Sequence, residues 1–182
     1  MKSALTIIRD EHRTISAVLH ALKDLARAAQ EPGARPAFAA LRAMVRYIDE
    51  FPEKLHHPKE DDLLARLVAR APEHRTLIEK LKAEHVEGAR LVRELERALL
   101  FFEDGANAGE FLAAVNAYAE FHWQHMRKEE QELLPLAERV LGPTDWLALD
   151  AAFEANPDFE KQFTRIVNLA PAPVGLGERA RV

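Results

Sequence analysis

Two short stretches of this chain carry metal-competent side chains at helical spacing. "LHHPKEDDLL", residues 55–64, sets His56 four residues before Glu60, and "QHMRKEEQELL", residues 124–134, sets His125 four before Glu129. Residues four apart on an α-helix differ by about 40° in direction and one turn in height. Each pair can therefore aim an imidazole and a carboxylate at one place. A shift of 69 residues carries His56 onto His125, Lys59 onto Lys128, Glu60 onto Glu129 and Leu64 onto Leu133. The single histidines His12 and His85 repeat at nearly the same interval, 73 residues, so each half reads His … His-x-x-x-Glu. The chain has no cysteine, which excludes thiolate ligands, thiolate catalysis and disulfides. Imidazoles and carboxylates without thiolate suit a first-row transition metal. Two carboxylates at one level, from opposite helices, can each bridge two ions, so a dinuclear centre accounts for the duplication better than a mononuclear one. Iron is preferred to zinc, because bridging carboxylates with surplus nitrogen donors exceed what one tetrahedral zinc needs. Manganese, or a mixed iron–manganese pair, is the alternative.

The elements that must position these residues are helices. Alanine and leucine are abundant, and the chain has only seven glycines, which reads as all-α. Stripes stepping by three and four mark four amphipathic helices. The first carries Ile8, His12, Ile15, Leu19 and Leu22. The second runs Leu41, Val45, Ile48, Pro52, His56, Glu60, Leu63, Leu67. The third runs from His74 through Ile78, Leu81, His85, Gly88 and Val92 to Phe102, and the fourth from Phe111 through Val115, Tyr118, His122, His125, Glu129 and Leu133 to Val140. "EPGARP", "RAPEH" and "EDGANAGE" read as short turns between them. Short connections imply an antiparallel up-down-up-down four-helix bundle. A short C-terminal helix, capped by Thr144 or Asp145, is expected to about Ala155. The bundle is assigned to residues 1–155 and an extended tail to 156–182, with no helical period in "APAPVGLG".

Metal-competent polar residues thus lie on the inward stripe of all four helices. A buried charge costs several kcal/mol unless it is paired or bound to a cation, so convergence on a metal is the reading that explains them. Among the other polar residues, His57 points about 100° away from His56 and is expected to be partly exposed. His20 and His74 read as surface or structural residues, and Trp123 and Trp146 as packing. Tyr118 reads as core. Pro58 removes an amide donor beside the site.

The segments "EHRTI", "HHPKEDDLL", "KAEHVEG" and "FHWQHMRKEEQELLPLAE" resemble the hemerythrin-like, or HHE cation-binding, domains of bacteria, over about residues 3–141. The resemblance implies a non-haem di-iron centre in a four-helix bundle, with His12, His56, His85 and His125 as terminal ligands and Glu60 and Glu129 bridging. One feature departs from the oxygen-carrying hemerythrins, which have a His-x-x-x-His pair on the third helix: here Leu81 stands four before His85. His122, one turn before His125, is the substitute, either as a seventh metal residue or orienting a neighbour. Its repeat counterpart, Glu53, is placed beside the site rather than on the metal.

The bulk numbers fit this reading. A chain of 182 residues, 48% apolar with net charge −5, can bury one substantial core. It gives no electrostatic reason to expect nucleic acid or an anionic membrane. No run approaches a membrane span, the N-terminus does not read as a signal peptide, and a cytoplasmic location is expected. The expected function is binding of dioxygen or a related small oxidant, such as peroxide or nitric oxide, for sensing, storage or detoxification; a homodimer is compatible with it. Two alternatives stand beside it. One is a di-iron enzyme, peroxidase-like or nitric-oxide-processing. The other is a regulatory module whose metal ties the helices together.

Overall fold

The computed structural model describes residues 3–154 together with Phe163, Thr164 and Ile166. The described residues are helical, with no strand among them, and none of their helices is long and apolar enough to cross a membrane. Helix α1 spans Ala4–Ala28, and Ser3 caps it by accepting from the Thr6 amide at 3.3 Å. Helix α2 (Phe38–Ile48) continues through a π-helical stretch, Asp49–His56, into α3 (His57–Arg70). A 3₁₀ turn, Pro72–His74, leads to α4 (Arg75–Glu103). Helix α5 (Ala108–Lys128) passes through a second π-helical stretch, Glu129–Leu133, into α6 (Leu134–Val140). The turn after α4 bonds the Ala106 amide to the Phe101 carbonyl and the Gly105 amide to that of Phe102. That arrangement needs a left-handed residue, supplied by Gly105 at φ 97°,.

The second and fourth segments are therefore not the unbroken α-helices the stripes suggest. Each π-helical stretch ends two residues before a proline: His56 before Pro58, Leu133 before Pro135. A proline in a helix lacks an amide hydrogen, and its ring collides with the carbonyl four residues back, here that of Lys54 or Gln131. Widening the preceding turn relieves this. The His57 amide bonds back to Pro52 and the Leu134 amide to Glu129, each five residues away. Fewer degrees per residue in the wide turn bring neighbouring side chains onto one face.

Helix α1 packs on α2 and α5, and α4 packs on α2, α3 and α5. Every residue of the inward stripes is buried except His74 and Val140, at helix ends, which are partly exposed. The core forms two apolar clusters. One gathers Leu19, Leu22, Met44, Ile48, Val92, Leu95, Phe111 and Val115; the other gathers Ile8, Leu63, Leu67, Ile78, Leu81, Leu133 and Leu136. Between them lies a layer of histidines and glutamates. Segments one and three cross this layer from the second cluster to the first, and segments two and four cross it the other way.

Helix α7 (Pro143–Glu154) starts at Pro143, ahead of the expected caps, and packs on α1 and α3, burying Leu149 and Phe153 in the second cluster. Asp145 instead accepts from the Gly142 amide and pairs with Arg66 and Arg70. Beyond residue 155, Ile166 is buried in the first cluster with Phe163 against it. The stretch 170–177, expected to be extended, lies outside the described residues.

Candidate metal centre

Four imidazoles face the interior with the same orientation. His12, His56, His85 and His125 are each at most 7% exposed. Each gives its Nδ1 to a carboxylate: His12 to Glu130 at 2.9 Å, His56 to Glu11 at 2.7 Å, His85 to Asp61 at 2.9 Å and His125 to Glu84 at 3.0 Å. A carboxylate fixes the hydrogen on Nδ1, so every Nε2 is left as a lone-pair donor aimed inward. The four bonds close a ring around the bundle. Segment four holds the imidazole of segment one, segment one that of segment two, segment two that of segment three, and segment three that of segment four. Each acid adjoins a central residue of its own helix: Glu11 beside His12, Asp61 beside Glu60, Glu84 beside His85, Glu130 beside Glu129. None of these four acids was singled out from the sequence. The available signal was an acid next to one candidate ligand on each helix: His12, Glu60, His85 and Glu129.

At the centre, the two buried glutamates each turn one oxygen to one pair of imidazoles and the other oxygen to the other. Glu60 Oε1 lies 3.1 Å from His56 Nε2 and 3.4 Å from His12 Nε2, and its Oε2 lies 3.7 Å from His85 Nε2. Glu129 Oε2 lies 3.4 Å from His12 Nε2, and its Oε1 lies 3.3 Å from His125 Nε2 and 3.7 Å from His85 Nε2. Two groups of side chains that could hold a metal ion result: His12, His56 and Glu60, and His57, Glu60, His85 and His125. Glu60 Oε2, both oxygens of Glu129, His85 Nε2 and His125 Nε2 are buried without a hydrogen-bond partner. Orphans of this kind are costly in a dry core, and cations in the two groups would satisfy all five.

The hemerythrin HHE cation-binding domain matches residues 3–137, a span that holds every residue of both groups. The chain belongs to this family. No curated protein and no solved structure matches it.

The donor set fits a cation-binding hemerythrin domain electrostatically. Burial pulls the His12 imidazole down, but the carboxylates of Glu129, Glu130 and Glu60 overcome this and hold it well above its ordinary value. Burial likewise opposes, and Asp61, Glu129 and Glu60 outweigh it, at His85, which is raised to about 10. Glu129 and Glu84 do the same for His125, raised to about 9. Burial and mutual repulsion push the Glu60 carboxyl up, yet His56 and His12 hold it far below the usual range; Glu129 is lowered in the same way by His125, His12 and His85. The layer thus draws positive charge, from protons when nothing else supplies it.

His57 corrects an expectation. It is 4% exposed rather than partly solvated, and it stacks on His85 with ring centroids 4.3 Å apart. The π-helical turn before Pro58 brings it round to the same interior as His56. It stands in the hemerythrin domain's second group, where the third helix offers only Leu81 beside His85. Burial lowers its imidazole to about 4, so it is neutral at pH 7. The 69-residue repeat carries His57 onto Met126, so nothing in the duplication marked it. His122 joins neither group: its Nε2 bonds Glu53 Oε1 at 3.1 Å. Tyr118 also donates to that oxygen, at 2.7 Å. Glu53 lies against the α4 backbone, where a Cβ on Gly88 would come within 3.1 Å of Oε1. Trp123 donates from Nε1 to Ser16 Oγ at 3.1 Å and packs on His20.

Proposed function

We propose that this hemerythrin domain is a non-haem di-iron protein that binds dioxygen or a related small oxidant, such as peroxide or nitric oxide, for sensing, storage or detoxification. The observation that carries the reading is the pair of glutamates, Glu60 and Glu129, each with one oxygen toward each group of imidazoles. In this reading His12 and His56 would hold one ion and His57, His85 and His125 the other, with Glu60 and Glu129 available to both. His122 orients Glu53 instead of ligating. Five imidazoles against two carboxylates favour iron over manganese, which prefers oxygen donors, and the bridges speak against a lone zinc. Two iron ions held in this way supply reversible electron transfer to a small oxidant.

The protein's own contribution is positional. The ring of acids keeps each Nε2 aimed inward, and the two apolar clusters above and below keep water from competing for the donors. The alternating order in which the four segments cross the polar layer supports an antiparallel up-down-up-down bundle.

Metal analysis joined to an optical spectrum of the aerobic protein tests the reading. About two irons per chain with oxo-bridge charge-transfer bands is the expected result. One zinc per chain, or no bound metal after reconstitution with ferrous iron, would overturn it.

A further inference from the structure

The four acids that orient the imidazoles are not alike. Glu84 accepts from His125 Nδ1 on Oε2 at 3.0 Å and from the Lys128 ammonium on Oε1. Both side chains are mostly shielded, Glu84 at 16% and Lys128 at 19% exposure, so solvent screens the pair little. Glu130 and Asp61 carry no such cation: each has its imidazole as the one ion-pair partner among the described residues. The 69-residue repeat carries Lys59 onto Lys128, yet the two lysines are placed differently. Lys59 Nζ is buried with no hydrogen-bond partner among the described residues and lies 5.3 Å from the centroid of the Phe153 ring on α7. It therefore does not bond Glu11, the acid that holds His56.

From this we infer that Lys128, acting through Glu84 and His125, makes the two metal positions unequal, so that the ion of the second group is reduced first and oxidised last. The inference rests on the di-iron reading and adds an order to its electron transfers. An acid shared with an ammonium lends its imidazole less electron density than an acid that serves the imidazole alone. The second group also offers three imidazoles where the first offers two. Neutral donors and a nearby positive charge both favour the lower oxidation state of a bound ion. Lys128 ligates nothing itself; it is a positioning residue, whose bond to Glu84 sets how strongly that acid pulls on the His125 ring.

A redox titration of the iron-loaded full chain with dithionite tests the order, each step adding one electron from the titrant to one ferric ion. Lys128→Met removes the charge and the bond. It should lower the midpoint of the first reduction by about tenfold in the ferric–ferrous equilibrium, or roughly 59 mV for one electron, and move the second midpoint less. Lys128→Arg keeps charge and bond and should hold the wild-type midpoints, which a packing role would not predict. In the metal-free protein the His125 Nδ1–H proton resonance should move downfield in Lys128→Met, because Glu84 then serves one donor, and stay in place in Lys128→Arg. Lys59→Met, which removes no bond to an orienting acid, should leave the His56 resonance in place. If Lys128→Met keeps the wild-type first midpoint, or Lys128→Arg lowers it as far, the inference is overturned and the di-iron reading stands. An unmoved His125 resonance overturns the route through Glu84. If the wild type takes up no iron, the di-iron reading falls and the order of reduction falls with it. Should Lys128→Met not fold, Lys128→Gln, which keeps a donor for Glu84 without the charge, decides: a wild-type first midpoint overturns the inference.

Discussion

The Nε2 atoms of His12 and His56 face each other at 3.1 Å. Each ring already gives its Nδ1 to a carboxylate, Glu130 or Glu11, so two lone pairs would meet head-on unless a positive charge lies against both. A metal ion resolves the conflict with no change of ring orientation. Removing one of these imidazoles should therefore cost one ion, whereas removing a bridge should cost both. His56→Ala is expected to lower iron from about two to about one per chain, and Glu60→Ala to near zero. Quantitative metal analysis of the purified variants checks this; undiminished iron in both would defeat the assignment.

The ring of acids gives a second expectation. Acids that orient a metal-binding imidazole typically matter about 10- to 100-fold in metal affinity. Asp61→Asn and Glu130→Gln change side chains that are half-exposed, so the fold should tolerate them. Each should weaken metal retention by roughly that factor in a chelator competition. Glu79→Gln, at an exposed pair with Arg75, is the control and should leave it unchanged.

Much of this arrangement was legible in the sequence, and for one reason: helical periodicity fixes direction. It placed His12, His56, Glu60, His85, His125 and Glu129 inside, because each falls on a stripe continued by leucines and isoleucines. His57 was not legible. Its inward orientation depends on a wide turn, and a 3.6-residue period turns it outward. Pro58 was the only clue, as the residue that makes an ordinary turn sterically impossible. The ring of acids was invisible for a different reason. Each of its bonds joins two helices far apart in sequence, and no single-helix pattern reports which carboxylate reaches which imidazole.

The raised imidazoles make the metal-free protein sensitive to alkali. His125 and His85 keep their protons up to about 9 and about 10 when folded, against 6.5 for an ordinary solvated imidazole. Between those values the folded chain binds protons that the unfolded chain has released. Stability from these two groups is therefore full below about pH 6.5 and is lost as pH rises through 9 to 10, a change on the order of a few kcal/mol. Urea midpoints of the metal-free protein at pH 6, 8 and 10 should fall in that order. At pH 7 metal uptake must expel these protons from His85 and His125, together with the one that the carboxylates hold on His12,. Calorimetry in buffers of different ionisation enthalpy would register them; a rising midpoint or no proton release contradicts the electrostatic account.

Pro58 separates metal binding from folding. Its ring forces the wide turn that brings His56 and His57 to one interior, so the proline serves the site at the expense of regular helix. With Pro58→Ala the clash with the Lys54 carbonyl disappears and an amide hydrogen returns, so the turn just before residue 58 can close toward ordinary α-helix, although Pro52 stays in the stretch,. The metal-free variant should melt no lower than wild type, because a regular helix replaces a distorted one. Its metal affinity should nonetheless fall by roughly tenfold or more, since closing the turn rotates His57 away from His85. Pro135→Ala should have a milder effect. Its wide turn begins at Glu129, after His125, and leaves the imidazoles in register. Thermal melts of the metal-free proteins and chelator titrations of the loaded ones measure the two quantities separately. A Pro58→Ala protein that loses stability while keeping its metal affinity would show that the wide turn serves folding and not the site.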